Sequence, residues 1–449
     1  MIKGESAMKN MLAMVMAGGN GERLYPLTRD RGKPAVPFGG IYRLIDFTLS
    51  NCVNSGIRKI VVLTQYKSLS LERHLRLGWN ILNQELDEYI FSIPPQKRIS
   101  GDWYKGTADS IYQNLYFADM INPEYFLILS ADHVYRMDYS RMLAFHKKRG
   151  ADVTVATVEV DKKEAYNFGI MKINDENRIT GFVEKPKKPA DLPGDCNTCL
   201  ANMGVYIFNS GVLRKFLEED AHNKRSHHDF GKDIIPEMIH NAKVFACNFQ
   251  DENKKGPEYW RDVGTIDAYF EGNMDLVNPY SGFNLHDMYW PIRTYHGQYP
   301  PAMILFAMEY PGYKFSICRD SIISGGCLIK GGNVINSVLS PMVHIDSGAE
   351  VTESVLMEGV KVGKYCKIKR AILDKGVTVL RGTEIGYDSE ADKKRFFVTD
   401  SGIVVIPKGM EVASTDEEFI MEKKVVYNRR PARVIHWAED GRAMAGNLV

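Results

Sequence analysis

Residues 16–36 read MAGGNGERLYPLTRDRGKPAV. Just upstream, Leu12–Met16 is a short apolar run that feeds three glycines within four positions, Gly18, Gly19 and Gly21. A buried first strand that opens into such a turn lets backbone N–H groups close around phosphate oxygens with no Cβ in the way. Arg23 then offers a planar fork to a phosphate, and Lys33 a compact charge ten residues on. Two familiar phosphate templates fail here. A dinucleotide fingerprint needs a third glycine where Leu24 stands, and a P-loop needs Ser or Thr where Pro34 follows Lys33. Asp229-Phe230-Gly231 looks kinase-like, but no HRD catalytic loop accompanies it.

Outward from this turn, strand-like and helix-like segments alternate over the first 270 or so residues. LAMVMAG, KIVVLTQY, YFLILSAD and DVTVATVEV read as strands; RLIDFTLSNCVNSG, GTADSIYQNLYFADMI and YSRMLAFHKKRG read as helices. Continuous apolar strands between amphipathic helices imply an α/β, Rossmann-like, mostly parallel sheet covered on both faces. Ligands of such sheets lie at the carboxyl ends of the strands, where the glycine turn, Asp132 and the Gly106 helix start all fall.

With 449 residues, the chain exceeds the ~250–300 at which single cores stop growing, so at least two domains are expected. The expected division is a catalytic domain over 10–275, a packed aromatic linker over 276–315, and a third region over 316–440. That third region repeats. Leu328, Ile345, Val362 and Val379 recur every seventeen residues, as do Val334, Val351, Ile368 and Ile385, with partners six apart. Ile322, Leu339, Leu356 and Leu373 keep the same period, as do Val343, Val360 and Val377, and small residues recur at Gly332, Ala349, Cys366 and Thr383. Aliphatics every six residues, one per flat side, with a small residue at the corner, predict a parallel β-helix.

Composition excludes several classes. The net charge of +1, from 57 basic and 56 acidic residues, argues against nucleic acid as a partner. No apolar run reaches the ~18 residues of a membrane span, and no secretory leader pattern opens the chain. Seven cysteines form no disulfide framework, so a cytoplasmic setting is expected. Cys196 and Cys199 have half-zinc-site spacing without a second pair, and read as free thiols. His227-His228-Asp229 reads as structural rather than metal-binding.

G-G-x-G-x-R-L-x-P-L-T followed by R-x-K-P-A-V resembles the sugar-1-phosphate nucleotidyltransferases, and within them the glucose-1-phosphate adenylyltransferases. DFTLSNCVNSGI from Asp46, GTAD at 106–109, SADHVY at 130–135, FVEKP at 182–186, SHHDFGKDIIP at 226–236, YWRDVGT at 259–265 and WPIRTY at 290–295 extend the likeness over about residues 12–410. A bifunctional acetylglucosamine uridylyltransferase/acetyltransferase also joins two such domains, but lacks the WPIRTY linker.

The resemblance implies adenylyl transfer from ATP to glucose 1-phosphate for glycogen or α-glucan synthesis, and a left-handed β-helix. It implies Arg23, Lys33 and Asp132 as catalytic residues, with Asp132 and Asp262 holding Mg²⁺. For the nucleotide it implies Gly18, Gly19, Gly21, Arg23, Gln65, Gly106 and Thr107. For the sugar phosphate it implies Tyr104, Gly169, Glu184, Lys185 and Asn202, the last replacing the family's usual Ser. It also implies a homotetramer, or a hetero-oligomer with a paralogue, and anionic effectors near Arg43 and Arg395. Asp30 and Pro37 stand where a basic residue and a His are expected in fructose bisphosphate-responsive members, so effector identity does not carry over. The rival readings are a non-catalytic regulatory paralogue, an acyltransferase built on the β-helix around His344, and the same chemistry with another nucleotide or sugar. Retention of Arg23, Lys33, Asp132 and Asp262 speaks against the paralogue.

Overall fold

Met11–Ala17 forms β1, with six of its seven side chains buried. Alternate residues point to opposite faces of a strand. Met11, Ala13 and Val15 therefore enter one apolar cluster while Leu12 and Met14 enter another. A strand buried on both faces belongs in the middle of a covered sheet, and β1 lies there. In this computed structural model the described residues are 8–96, 103–188, 197–251, 256–309, 312–413, 435–437 and 443–445. Two compact units are present, Met1–Gln298 and Tyr299–Val449.

In the first unit β1 is followed by α1 (Leu44–Asn54), β2 (Lys59–Thr64), α2 (Leu69–Gly78), β3 (Tyr89–Ile93), α3 (Thr107–Tyr112), α4 (Leu115–Ile121), β4 (Tyr125–Ser130), β5 (His133–Tyr135), α5 (Tyr139–Arg149) and β6 (Val153–Asp161). Then come β7 (Gly169–Ile173), β8 (Ile179–Glu184), β9 (Thr198–Asn209), α6 (Ser210–Ala221), β10 (Val244–Asn248), β11 (Trp260–Asp262) and α7 (Ile266–Val277). The main sheet runs β8-β7-β9-β4-β1-β2-β3, with β6 on β9 and β10 on β6. Strands β4, β1, β2 and β3 are mutually parallel, whereas β9 runs antiparallel to β4, β6 and β7.

The helix expected over GTADSIYQNLYFADMI is broken in two. Asn114 Nδ2 takes the Ser110 carbonyl at 2.8 Å while its own N–H turns to Ile111 O at 3.0 Å, a local competition that ends a helical ladder. Residues 276–298 belong to the first unit, with Phe283 and Ile292 buried.

The second unit is a stack of parallel coils, the arrangement of a left-handed β-helix. Val334, Val351, Ile368 and Ile385 stand in register, as do Leu339, Leu356 and Leu373. The first members of two repeat series need correction. Ile345 pairs with Ile329, not Leu328, and Leu339 with Ile323, not Ile322, because the first coil is one residue shorter than the rest. Strand pairing begins at Met303–Leu305, inside the segment read as linker. At the corners a Cβ on Gly332 would come within 2.8 Å of Ile345 Cγ2, while Thr383 Oγ1 donates to Leu380 O at 2.6 Å. A buried polar ladder that the apolar period did not reveal also runs along the stack. Ser337 Oγ accepts from Ser354 N at 3.1 Å, and Ser354 Oγ from Ala371 N at 3.2 Å.

Cys52, Cys247, Cys318, Cys327 and Cys366 are free thiols, Cys199 is buried, and Cys196 lies outside the described residues. Among the described residues no helix is long and apolar enough to cross a membrane.

Candidate active site

Four segments of the first unit meet beyond the carboxyl end of β1. The turn after β1 bends at Gly21, whose φ of +67° suits glycine and whose Cβ would lie 3.0 Å from Thr28 Cγ2 and 3.1 Å from Lys33 Cβ. Thr28 Oγ1 closes the turn by donating to Gly21 O at 2.9 Å. Gly18 packs on Gln65, where a Cβ would come 3.1 Å from Gln65 Cβ, and Gly19 faces open space. A cavity of about 430 Å³ is lined by Gly19, Gly21, Arg23, Lys33, Asp132 and Gly264, among others.

Lys33 is buried at the floor of this cavity. Its Nζ lies 2.6 Å from Asp132 Oδ2 and 3.4 Å from Asp262 Oδ1. Burial works against its charge, but the carboxylates of Asp132 and Asp262 outweigh that cost and raise its pKa above the usual lysine value. For Asp132 burial pushes the pKa up, yet Lys33, His133 and a hydrogen bond from Ser130 Oγ hold it well below the carboxylate range. Asp132 stands two residues past β4, and Asp262 ends β11. Two carboxylates sharing one cation are a donor set that a hard divalent ion also satisfies, so the residues fit a metal. Arg23 leans on Gly264, where a Cβ would lie 3.1 Å from its Nη2 and from both Asp262 oxygens.

The residues expected to take sugar phosphate lie on β7–β9, just past the end of β8 at Lys185, and in the loop before α3. Gly169 pairs with Glu184 across β7 and β8, and its Cβ would clash with Phe182 Cζ at 2.5 Å and Glu184 Oε2 at 2.8 Å. Burial raises the Glu184 pKa against the pull of Lys185, with Asp229 adding to the rise. Asn202 sits at an irregularity in β9, donating through Nδ2 to Tyr206 Oη at 2.7 Å and accepting from Gly204 N at 2.9 Å. Tyr104 Oη accepts from Asn114 Nδ2 at 3.0 Å.

Gly106 lies under the 226–231 loop, where a Cβ would fall 2.2 Å from His228 O. Thr107 Oγ1 donates to Asp229 Oδ2 at 2.9 Å and accepts from Phe230 N at 3.0 Å. His228 Nδ1 meets Asp220 Oδ2 at 2.7 Å, so this histidine ties a loop. Arg43 Nη1 donates to Ala35 O at 3.0 Å and Ser70 Oγ at 2.8 Å. In the second unit, Arg395 Nη2 donates to Ala413 O at 2.6 Å and its guanidinium caps Phe396 at 4.7 Å.

Three features went unassigned in the sequence. His133, inside SADHVY, faces Asp262 across β5 and β11. Gly264 backs both Arg23 and Asp262. The polar face of α1 braces the site from behind: Thr48 Oγ1 donates to Ser130 O at 3.0 Å, and Asn51 Nδ2 to Tyr135 O at 3.1 Å. Polar residues recurring three apart among the apolar residues of this helix, and buried with them, were the available signal for that brace.

Residues 12–278 match the nucleotidyl transferase family, and residues 300–406 match a GlmU-like C-terminal hexapeptide family. The glucose-1-phosphate adenylyltransferase of Koribacter versatilis is 51% identical over 403 residues, covering 89% of this chain and 96% of its own length. The chain belongs to the glucose-1-phosphate adenylyltransferases. That of Rhodopirellula baltica is 48% identical over 91% of this chain and 92% of its own. Glucose-1-phosphate adenylyltransferase 2 of Vibrio cholerae is 47% identical over 91% of this chain and all of its own. Nucleotidyltransferases of this kind generally use a divalent metal, which agrees with the donors around Lys33.

Proposed function

We propose that this protein transfers the adenylyl group of ATP to α-D-glucose 1-phosphate, forming ADP-glucose and pyrophosphate for α-glucan synthesis. The observation that carries this reading is Lys33 held between Asp132 and Asp262 beside the glycine turn. A phosphate oxygen of the sugar attacks the α-phosphorus in line as the bond to the β-phosphate breaks, so the chain need supply no nucleophile. The amides of Gly18, Gly19 and Gly21 receive the β- and γ-phosphates. Arg23 and Lys33 meet the negative charge that grows on the departing pyrophosphate, where fixed positive groups lower the barrier most. The raised pKa of Lys33 keeps it charged at neutral pH.

Asp132 and Asp262 would hold Mg²⁺, which supplies charge neutralisation at the α-phosphate when bound. Gln65, Gly106 and Thr107 serve the adenosine side, Thr107 through its backbone because its hydroxyl is engaged with Asp229. Tyr104, Gly169, Glu184, Lys185 and Asn202 take the sugar phosphate; Asn202 retains one amide hydrogen and one lone pair for a hydroxyl. In this reading 10–275 is the catalytic domain, 276–315 the linker and 316–440 the assembly and regulatory domain of a cytoplasmic homotetramer. Arg43 and Arg395 contribute to effector binding.

Incubation with Mg²⁺, ATP, glucose 1-phosphate and inorganic pyrophosphatase is expected to release phosphate only when both substrates are present. Release with UTP or dTTP alone would overturn the adenylyl assignment, and no release with any pair would overturn the enzyme reading. Asp132→Asn is expected to abolish release while the circular dichroism spectrum stays unchanged.

A further inference from the structure

We infer that His133 is a third protein donor to the divalent cation at Asp132 and Asp262, bonding through Nε2 and shifting the site's preference from Mg²⁺ toward Mn²⁺ or Co²⁺. This rests on the metal-site reading above and adds a nitrogen to it. The antiparallel register of β5 and β11 sets His133 directly opposite Asp262, and the backbone sets it next to Asp132. Its Nε2 lies 3.6 Å from Asp132 Oδ1 and 3.8 Å from Asp262 Oδ1, and one donor atom from each residue falls within 4.8 Å of the others.

Those separations are too long for hydrogen bonds. They lie between the edge, about 3.0 Å, and the diagonal, about 4.2 Å, of an octahedron with ~2.1 Å bonds. Among the described residues neither ring nitrogen has a hydrogen-bond partner, and Nδ1 is buried. A largely buried polar ring normally finds partners, and the polar atoms facing Nε2 are two carboxylate oxygens that a shared cation would join to it. The ring is fixed in place, edge-on to Trp260 at 5.2 Å and walled by Gly204, where a Cβ would come 3.5 Å from Cε1. An all-oxygen set suits Mg²⁺, whereas an added imidazole favours Mn²⁺ and Co²⁺.

The test uses the full chain without nucleotide, loaded with Mn²⁺ and read by pulsed electron paramagnetic resonance. Wild type is expected to show the ¹⁴N coupling of a bound imidazole, replaced by a ¹⁵N coupling when the histidines are ¹⁵N-labelled. In His133→Gln the coupling should vanish and Mn²⁺ affinity fall at least about tenfold. Mg²⁺ affinity, read by competition, should change by less than about threefold, because oxygen donors carry it. Asp132→Asn should lose tight Mn²⁺ binding altogether. Bound Mn²⁺ that is lost in Asp132→Asn yet silent in nitrogen overturns the role of His133 and leaves the metal site standing. Coupling that persists in His133→Gln overturns it too. Wild type that binds no Mn²⁺ overturns both. The isotope-labelled wild type needs no variant, so a misfolded His133→Gln would not shelter the idea.

Discussion

Thr294 Oγ1 donates to Asp46 Oδ2 at 2.7 Å, joining residues 248 apart in the chain. The same carboxylate accepts from Arg43 N at 2.8 Å, His74 Nε2 at 2.6 Å and Trp79 Nε1 at 2.8 Å. Asp46 is fully buried, so these four donors are what replaces its water.

Truncating Asp46 strands those donors in the core. Asp46→Ala is expected to cost about 3–5 kcal/mol, the scale for breaking a buried charged network from one side. Thr294→Val removes a single hydrogen bond to a charged group, worth about 1.5–3 kcal/mol. Urea unfolding followed by tryptophan fluorescence measures both, and equal losses would contradict a shared hub at Asp46.

Lys33 is the cation between Asp132 and Asp262 in this structure. Lys33→Gln is expected to lower kcat/KM for ATP by about 10²–10³, the range for losing one fixed stabiliser of developing charge. Lys33→Arg should recover little, since a planar fork cannot replace a point charge in a buried pocket. Initial rates by coupled phosphate release decide it; near-normal turnover of Lys33→Gln would remove it from the catalytic set.

Gly106 has room for no side chain beneath His228 O. Gly106→Ala should force that carbonyl away from Ala108 N, which it accepts at 2.8 Å, and disturb the 226–231 loop. Overpacking of this kind costs about 1–3 kcal/mol. The expected readouts are a lowered melting temperature and a raised KM for ATP, and neither change would mean that the loop yields freely.

His146 is a pH-sensitive element of the core. Burial lowers its pKa, only partly offset by the hydrogen bond with Asn209. Asn209 Nδ2 is committed to Ala151 O, so Oδ1 faces His146 Nε2, which must carry the proton; Nδ1 then accepts from Thr154 Oγ1. The folded state holds this ring neutral while the unfolded chain protonates it near pH 6.5. Stability should therefore fall as pH drops below about 6.5, and level off once pH is below the lowered folded pKa. Urea midpoints at pH 7.5 and 5.5 should differ less in His146→Gln than in wild type; an equal difference would clear His146.

Much of this was legible because it is periodic or local. The coils of the second unit repeat their buried aliphatics, and β1 announces itself as an apolar run ending in glycines. The single-residue shortening at Ile323 and Ile329 was not legible, because an apolar neighbour, Ile322 or Leu328, stands one position away. The split at Asn114 was hidden since one side-chain amide, not a Gly or Pro, interrupts the ladder. Glycine turn, Lys33, Asp132 and Asp262 could be picked out by motif. That Lys33 bridges the two aspartates, and that His133 faces them, depends on the β5–β11 register between distant segments, which no local pattern encodes.

After Ile385 the chain leaves the β-helix, forms the helix Ser389–Arg395, and rejoins the ladder with Ile406 paired to Leu373. Val379 and Val412 resume another face with equal fidelity. The excursion is stitched back to the trunk, with Phe397–Val398 paired antiparallel to Val404–Val405 and Phe396 buried among the aliphatics of the coils. The loop thereby covers the last parallel strand of that face with an antiparallel one, so the ladder does not end on an open edge there.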